Sequence, residues 1–392
     1  MKGAHSAGRT LTTAEMLARL VAFDTTSRNS NLELIGFVRA WLDGHGVPCR
    51  LSHDPGGGKA NIHAVIGPYD PGGIALSGHV DTVPVDGQAW SGDPFALRRE
   101  KGRLYGRGAC DMKGFVASML AAVPDLAGRQ LKKPVHLFIS YDEEVGCWGA
   151  QRLVQDLEES GLKPALCVVG EPSLMRPIVA HKGKLNVIVR VRGLTGHSSQ
   201  PARGVNAVHA AAEAIAYVAA DARRFATQGP FEEGFDPPHT TVHVGTVRGG
   251  TILNIIPDRA EFHMEWRNIP ADDPGRELQR LKDYVGDQIE PDMHKVRAVT
   301  GFAYEVQVHM PGLSLSPDHE LTALVRQVSG SNSVGKVSYG TEGGYYQNAG
   351  IPTIVCGPGD IAQAHQPDEW IAEDQLAACD HFIRALVDRV AG

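Results

Sequence analysis

The chain has 392 residues, 42% of them hydrophobic and 21% charged, with 45 glycines and a formal net charge of −7. That length implies two or three domains rather than one core, and the composition is that of a soluble, loop-rich globular protein. The acidic balance, without any Lys/Arg run, excludes the footprint of a nucleic-acid or anionic-membrane binder; no run of about 18 apolar residues and no signal peptide is present, so the expected location is cytoplasmic.

The six cysteines (Cys49, Cys110, Cys147, Cys167, Cys356 and Cys379) are scattered without a CxxC pair. They read as reduced thiols, so any metal must be held by nitrogen and oxygen.

In chain order, "TAEMLARLVAF" and "NLELIGFVRAWLDGHG" are amphipathic helices, the second closed by glycine. Extended "GGIALSGHVDTV", helix "MKGFVASMLAAVPDL", strand "PVHLFISYDEE", helix "GAQRLVQDLEESG" and strand "ALCVVGEP" then alternate, predicting an α/β domain with a sheet flanked by helices. After Lys182 the texture changes. Strand "KLNVIVRVRG", helix "NAVHAAAEAIAYVAADARRF", two or more strands across "TTVHVGTV" and "ILNIIPDRAEFHMEWRNI", helix "GRELQRLKDYVGDQI" and strand "AYEVQVHM" make a compact α+β unit. The α/β pattern resumes with "HELTALVRQV", "PTIVCGPG" and "EDQLAACDHFIRALVDRV". The expected organisation is one domain from 1–182 and 313–392, interrupted at a surface loop by a second from 183–312.

Chemistry collects where strands of the α/β part should end. In "SGHVDTVPV", His79 and Asp81 are two residues apart and share one face of a strand. Asp111 precedes a helix, Glu143 and Glu144 end "LFISYDEE", Glu171 ends "ALCVVGEP", and His365 follows the last strand in "AQAHQPDE". Each has a plain alternative: a solvated strand end, a helix cap, an acidic turn or a strand exit. Together they converge on the carboxyl rim of an open α/β sheet, where ligands bind. Two imidazoles and three carboxylates suit a pair of borderline ions, zinc with cobalt or manganese as substitutes. The division read from the chain puts His79, Asp111 and Glu171 on one ion and Asp111, Glu144 and His365 on the other, with Asp111 bridging. Asp81 then orients His79, and Glu143 is left to act as general base and acid in amide hydrolysis.

The ordered motifs "SGHVDTVP", "GRGACDMKG", "DEE", "GEP" and "AHQPDE" resemble the family of acetylornithine deacetylase, succinyl-diaminopimelate desuccinylase, aminoacylase and glutamate carboxypeptidase. The resemblance covers nearly the whole chain. It implies a co-catalytic amidohydrolase with two Zn2+ per subunit, a catalytic α/β domain with a mixed sheet, and an inserted ferredoxin-like lid that mediates dimerisation. Within the family, "GEPSLMRPIVAHKGKLNVIVRVRGLTGHSSQPARGVNAV" and "YGTEGGYYQNAGIPTIVCGPGDIAQAHQPDEWI" look most like acetylornithine deacetylase. This implies a small-molecule N-acyl amino acid as substrate, with N-acetyl-L-ornithine giving L-ornithine and acetate, a step of arginine biosynthesis. By the same resemblance, His197 of a homodimer partner's lid stabilises the oxyanion, and Arg267 and Asn254 bind substrate. The glycines of "TEGGYY" depart from the best-known deacetylases, so the pocket around Glu342 leaves the side-chain specificity open.

On the same scaffold the alternatives are a desuccinylase, a deacylase of acetylcitrulline or acetylmethionine, and a metallo-dipeptidase. A non-catalytic amino-acid-binding module is the alternative of another class; the complete set of ligands and base argues against it.

Overall fold

Short runs rich in Val, Ile and Leu, too brief for helices, become strands buried on both faces: Ile74–His79, Val135–Ser140 and Thr353–Gly357 expose no residue. The structure, a computed structural model, describes residues 10–392. Its chain divides into two units, one running up to Ala180 with Leu313–Gly335 and Thr341–Gly392, the other comprising His181–Gly312 and Lys336–Gly340.

The first unit is built on a nine-stranded mixed sheet. Its main path runs Cys49–His53, Ala60–Ile66, Val135–Ser140, Ile74–His79, Leu166–Pro172, Thr353–Gly357, Ile178–His181 and Leu313–Ser314. The four central strands, from Val135–Ser140 to Thr353–Gly357, are mutually parallel, and their neighbours are antiparallel. Alternation along Ile74–His79 shows helices on both faces. A Cβ at Gly78 would lie 2.9 Å from Met112 and 3.0 Å from Val116, at the start of helix Gly114–Ala127. The neighbouring Ser77 instead bonds Tyr346 of helix Gly343–Asn348 at 2.9 Å.

The second unit has the strand order Thr241–Gly249, Arg259–Asn268, Gly183–Arg192, Gly301–Met310, all antiparallel, with helices Ala207–Gln228 and Pro274–Tyr284 in the intervening segments. This is the ferredoxin-like βαββαβ arrangement. Gly183–Arg192 alternates buried and more exposed residues, and the buried set joins a separate core with Ala211, Phe262 and Trp266.

The run "ILNIIPDRAEFHMEWRNI" is two strands, Ile255–Ile256 and Arg259–Asn268, within the two or more expected here, because Pro257 has no N–H to continue a ladder. One detail differs from the sequence reading. Segment Lys336–Gly340, assigned by sequence to the first domain, groups with the second unit: Lys336 pairs with Glu232 at 2.8 Å and Ser338 donates to the carbonyl of Asp236 at 2.6 Å.

Candidate active site

Each of the central parallel strands delivers a functional group at its carboxyl end. His79 is the last residue of Ile74–His79, Glu143 and Glu144 follow Val135–Ser140, Glu171 ends Leu166–Pro172, and His365 lies in the loop after Thr353–Gly357. Asp111 comes from the turn Ala109–Lys113, ahead of helix Gly114–Ala127; it is buried in that turn rather than capping the helix.

These side chains meet. His79 Nε2 is 3.1 Å from Asp111 Oδ1 and 3.7 Å from Glu171 Oε1. His365 Nε2 is 3.3 Å from Asp111 Oδ2 and 3.1 Å from Glu144 Oε1. Asp111 thus touches both imidazoles, one through each carboxylate oxygen. Donor atoms of His79, Glu143 and Glu171 lie within 4.8 Å of one another, as do those of His79, Asp111 and Glu144. Glu143 therefore sits within reach of the ligand set as well as beside it.

Asp81 lies beyond the end of its strand, so it does not share a strand face with His79. His79 Nδ1 meets the Asp81 main-chain carbonyl at 3.0 Å and its carboxylate only at 3.4 Å. The carboxylate instead accepts the Ser27 hydroxyl at 2.7 Å and the main-chain N–H groups of Glu143 and Glu144 at 3.0 and 3.3 Å. One residue thereby fixes His79 through its main chain and the loop carrying the two glutamates through its side chain.

Five carboxylates (Asp81, Asp111, Glu143, Glu144 and Glu171) share this region with two imidazoles. Burial, followed by the neighbouring Asp111, raises Glu144 to about 7 and Glu171 well above its ordinary value. Burial likewise raises Glu143 to about 8, with Glu144 and Asp111 adding to it against His79. Hydrogen bonds that its ring donates to Asp111 and Glu144 raise His365 to about 10. Burial works against a charge on His79, but Asp111 and Asp81 hold it protonated. Protons thus compensate a surplus of buried negative charge, the charge balance that a bound cation would also satisfy. The donor set, oxygen and imidazole nitrogen without thiolate, fits a pair of zinc-like ions.

The remaining candidates have other surroundings. Glu342 is wholly buried, its carboxylate accepting from Ser77 at 2.5 Å and Ser140 at 2.6 Å, so it braces two central strands from within and has no surface to offer a substrate. In the second unit His197 is exposed on Gly196–His197, which pairs with Ile255–Ile256, and the Ser198 N–H donates to the Asn254 carbonyl at 3.2 Å. His197 Nδ1 accepts the Ser199 N–H at 3.1 Å, which assigns the ring proton to Nε2. Arg267, on Arg259–Asn268, donates through Nε to Glu265 at 2.8 Å.

Two groups around the site were not singled out from sequence. Ser27 anchors Asp81, and Glu369, four residues after His365, accepts the Asp111 N–H at 3.1 Å. The second was visible only as one more acid in "HQPDEW".

Residues 75–389 fit the model of peptidase family M20/M25/M40. The chain belongs to this family. As an M20 member it is a metal-dependent hydrolase of amide bonds. It is 37% identical over 343 residues to an acetylornithine deacetylase of Salmonella heidelberg, covering 87% of this chain and 86% of that protein. Among solved structures it resembles the aminopeptidase PepT of Bacillus cereus, with a TM-score of 0.74 and 21% identity over 96% of this chain and 98% of that one. An M20 family metallo-carboxypeptidase of Sulfolobus solfataricus matches with a TM-score of 0.72 and 18% identity over 96% and 98%. A Bacillus subtilis dinuclear metal-binding M20 peptidase matches with 0.62 and 16% over 96% and 98%. At such identities the solved structures speak for the M20 fold. Among the described residues no helix is long and apolar enough to cross a membrane.

Proposed function

We propose that the protein removes the acyl group from an N-acyl amino acid, with N-acetyl-L-ornithine as the preferred substrate and L-ornithine and acetate as products. The observation carrying this reading is the position of Glu143: 8% exposed, its main chain tied to Asp81, its carboxylate beside the donor atoms of His79 and Glu171. The deacetylase relative supports the substrate class.

Two zinc ions held by His79, Asp111, Glu171, Glu144 and His365, replaceable by cobalt, would supply Lewis acidity and make water a nucleophile near neutral pH. Glu143 takes the proton of the attacking water as the oxygen bonds to the acyl carbon. It then delivers that proton to the amide nitrogen as the C–N bond breaks, and the second proton of the water passes from the new carboxylic acid to the amine, leaving a carboxylate and an ammonium group. Arg267, already aligned by Glu265, is assigned to the α-carboxylate of the substrate, which a guanidinium binds with directional, charge-assisted bonds. Asn254, exposed beside His197, is assigned to the same substrate surface.

The oxyanion is assigned to His197 of a second copy in a homodimer, where the second unit acts as lid and dimerisation surface. The assigned Nε2 proton supports a donor role. The six free cysteines suit a reducing cytoplasm.

A screen of N-acetyl, N-succinyl and N-formyl amino acids, with zinc- and cobalt-loaded protein, tests the substrate. Acetate release from N-acetylornithine well above all others is the expected outcome. Preference for a succinyl group, or for unblocked dipeptides, would overturn it.

A further inference from the structure

Glu369 is 1% exposed and accepts four hydrogen bonds: from Arg107 Nη1 at 2.7 Å and from the main-chain N–H groups of Gly108, Cys110 and Asp111 at 3.1, 2.9 and 3.1 Å. Gly108 makes this convergence feasible. Its φ of +77° is in the left-handed region, and a Cβ there would lie 2.7 Å from the Thr82 methyl. The bend turns three amide groups of one short segment toward a single carboxylate.

The network extends to the other ligand loop. Arg107 Nη2 donates to Gln88 Oε1, which also accepts the Trp90 indole N–H at 3.0 Å. Gln88 Nε2 donates to the main-chain carbonyl of His365 at 3.0 Å. A continuous path therefore links the Asp111 amide to the His365 carbonyl through Glu369, Arg107 and Gln88, while the two side chains meet at 3.3 Å.

A buried Arg–Glu pair is poor value as stabilisation alone, since desolvation offsets most of the attraction and apolar residues would serve as well. Arg107 and Glu369 are each 1% exposed. What such a pair contributes is fixed geometry, and it does so between two ligands that come from segments about 250 residues apart in sequence. His365 needs that help most: its side chain is 50% exposed and its φ is +62°, so neither packing nor backbone preference holds it.

We infer that Glu369 is a positioning residue which, through Arg107 and Gln88, sets the spacing of Asp111 and His365 and so the hold on the ion they share with Glu144. The ion on His79, Asp111 and Glu171 depends on it less, because His79 and Glu171 are buried at strand ends. The inference rests on the two-ion reading of the site. Glu369→Gln keeps the size but turns an NH2 donor toward groups that are all donors, so at least one contact is lost.

The test is calorimetric titration of the chelator-stripped full chain with Zn2+, with Co2+ absorption following the second equivalent. Wild type should take up two ions. Glu369→Gln should keep the tighter step within about threefold and weaken the other by about 10–100-fold, the usual effect of losing a partner that orients a ligand. Gln88→Ala, at a partly exposed position, should weaken the same step to a smaller degree. A merely structural role would lower the unfolding midpoint of the stripped protein and leave the ratio of the two affinities unchanged. Fewer than two ions on wild type would refute the two-ion reading itself. Two ions on wild type and unaltered binding by Glu369→Gln would overturn the positioning role, and if that variant does not fold, unaltered binding by Gln88→Ala does the same.

Discussion

Glu143 and its neighbour Glu144 are the same chemical group, and the roles proposed for them differ through their surroundings. Both are glutamates on one loop, and both main-chain N–H groups bond Asp81, but only Glu144 meets His365. Glu143→Gln should therefore retain both ions while kcat falls by about 10²–10⁴-fold, the usual contribution of a general base. Metal analysis alongside steady-state rates decides it: near-wild-type turnover in pure protein removes Glu143 from that role. The candidate ligands stood out in the sequence because each lies in an ordered motif, His79, Glu144 and Glu171 at or just past the end of an apolar strand, Asp111 in the turn before a helix and His365 in a loop. Asp81 was legible only in part. Its main-chain acceptors and donors are created by folding, and no spacing in the sequence announces that a carboxylate will accept amide protons from residues 143 and 144. Glu369 was hidden for the same reason, since three of its four partners are backbone groups.

At the level of elements, the strand Leu166–Pro172 and the helix Gly114–Ala127 are in contact through a missing side chain. A Cβ on Gly170 would lie 1.9 Å from the Phe115 ring, with both neighbouring ring carbons under 2.4 Å. The glycine of "GEP" is thus a packing requirement that sets the height of Glu171 above the sheet. Gly170→Ala should cost at least about 1–3 kcal/mol, as overpacking does, and loosen the ion held by Glu171. Denaturant midpoints and zinc affinity check this; a midpoint equal to wild type would show that the ring moves aside freely. Helices and most apolar strands followed their periodicity in the sequence. The strands Cys49–His53 and Ala60–Ile66 did not, because Asn61 and His63 give "ANIHAVI" a polar look although all seven residues are buried. Tertiary partners resolve that polarity: Asn61 donates to Ser52 and to the Gly149 carbonyl, and His63 pairs with His136 at 2.9 Å. Three-residue strands such as Arg98–Glu100 and Arg103–Tyr105 are too short to carry a period at all.

For the whole molecule, zinc should protect more as pH rises. Glu144 at about 7 and His365 at about 10 both hold protons in the folded, chelated protein above the pH where their unfolded counterparts release them. Zinc must displace these protons, so the zinc-induced rise in Tm should grow from pH 6 to pH 8. His63, His136 and His181, which burial lowers to about 3, 4 and 4, act in the opposite sense: stability is lost as pH falls from about 6.5 through those values. They lie outside the ligand set, are equally affected with and without zinc, and cancel in the difference. A zinc-induced shift that shrinks toward pH 8 would contradict the assignment of these ligands. The proposed homodimer has its own test: His197→Ala and Glu143→Gln are each expected to be nearly inactive, but a mixed dimer contains one site with both residues intact. About half of wild-type activity should return per heterodimer under closed two-fold symmetry. A verified heterodimer without recovery would place His197 in its own chain's chemistry or outside it.

The strand Thr353–Gly357 is among the last made yet lies in the middle of its sheet, between Leu166–Pro172 and Ile178–His181. At roughly 5–20 residues per second of synthesis, those two flanking strands leave the ribosome on the order of ten seconds or more before the one that joins them. In the interval the second unit, with its own core, can close first, so the insertion matures before the domain it interrupts. His365 and Glu369 arrive still later. A chain that stops anywhere upstream therefore lacks the strand that joins the two halves of the sheet, together with two of the residues gathered at the candidate site.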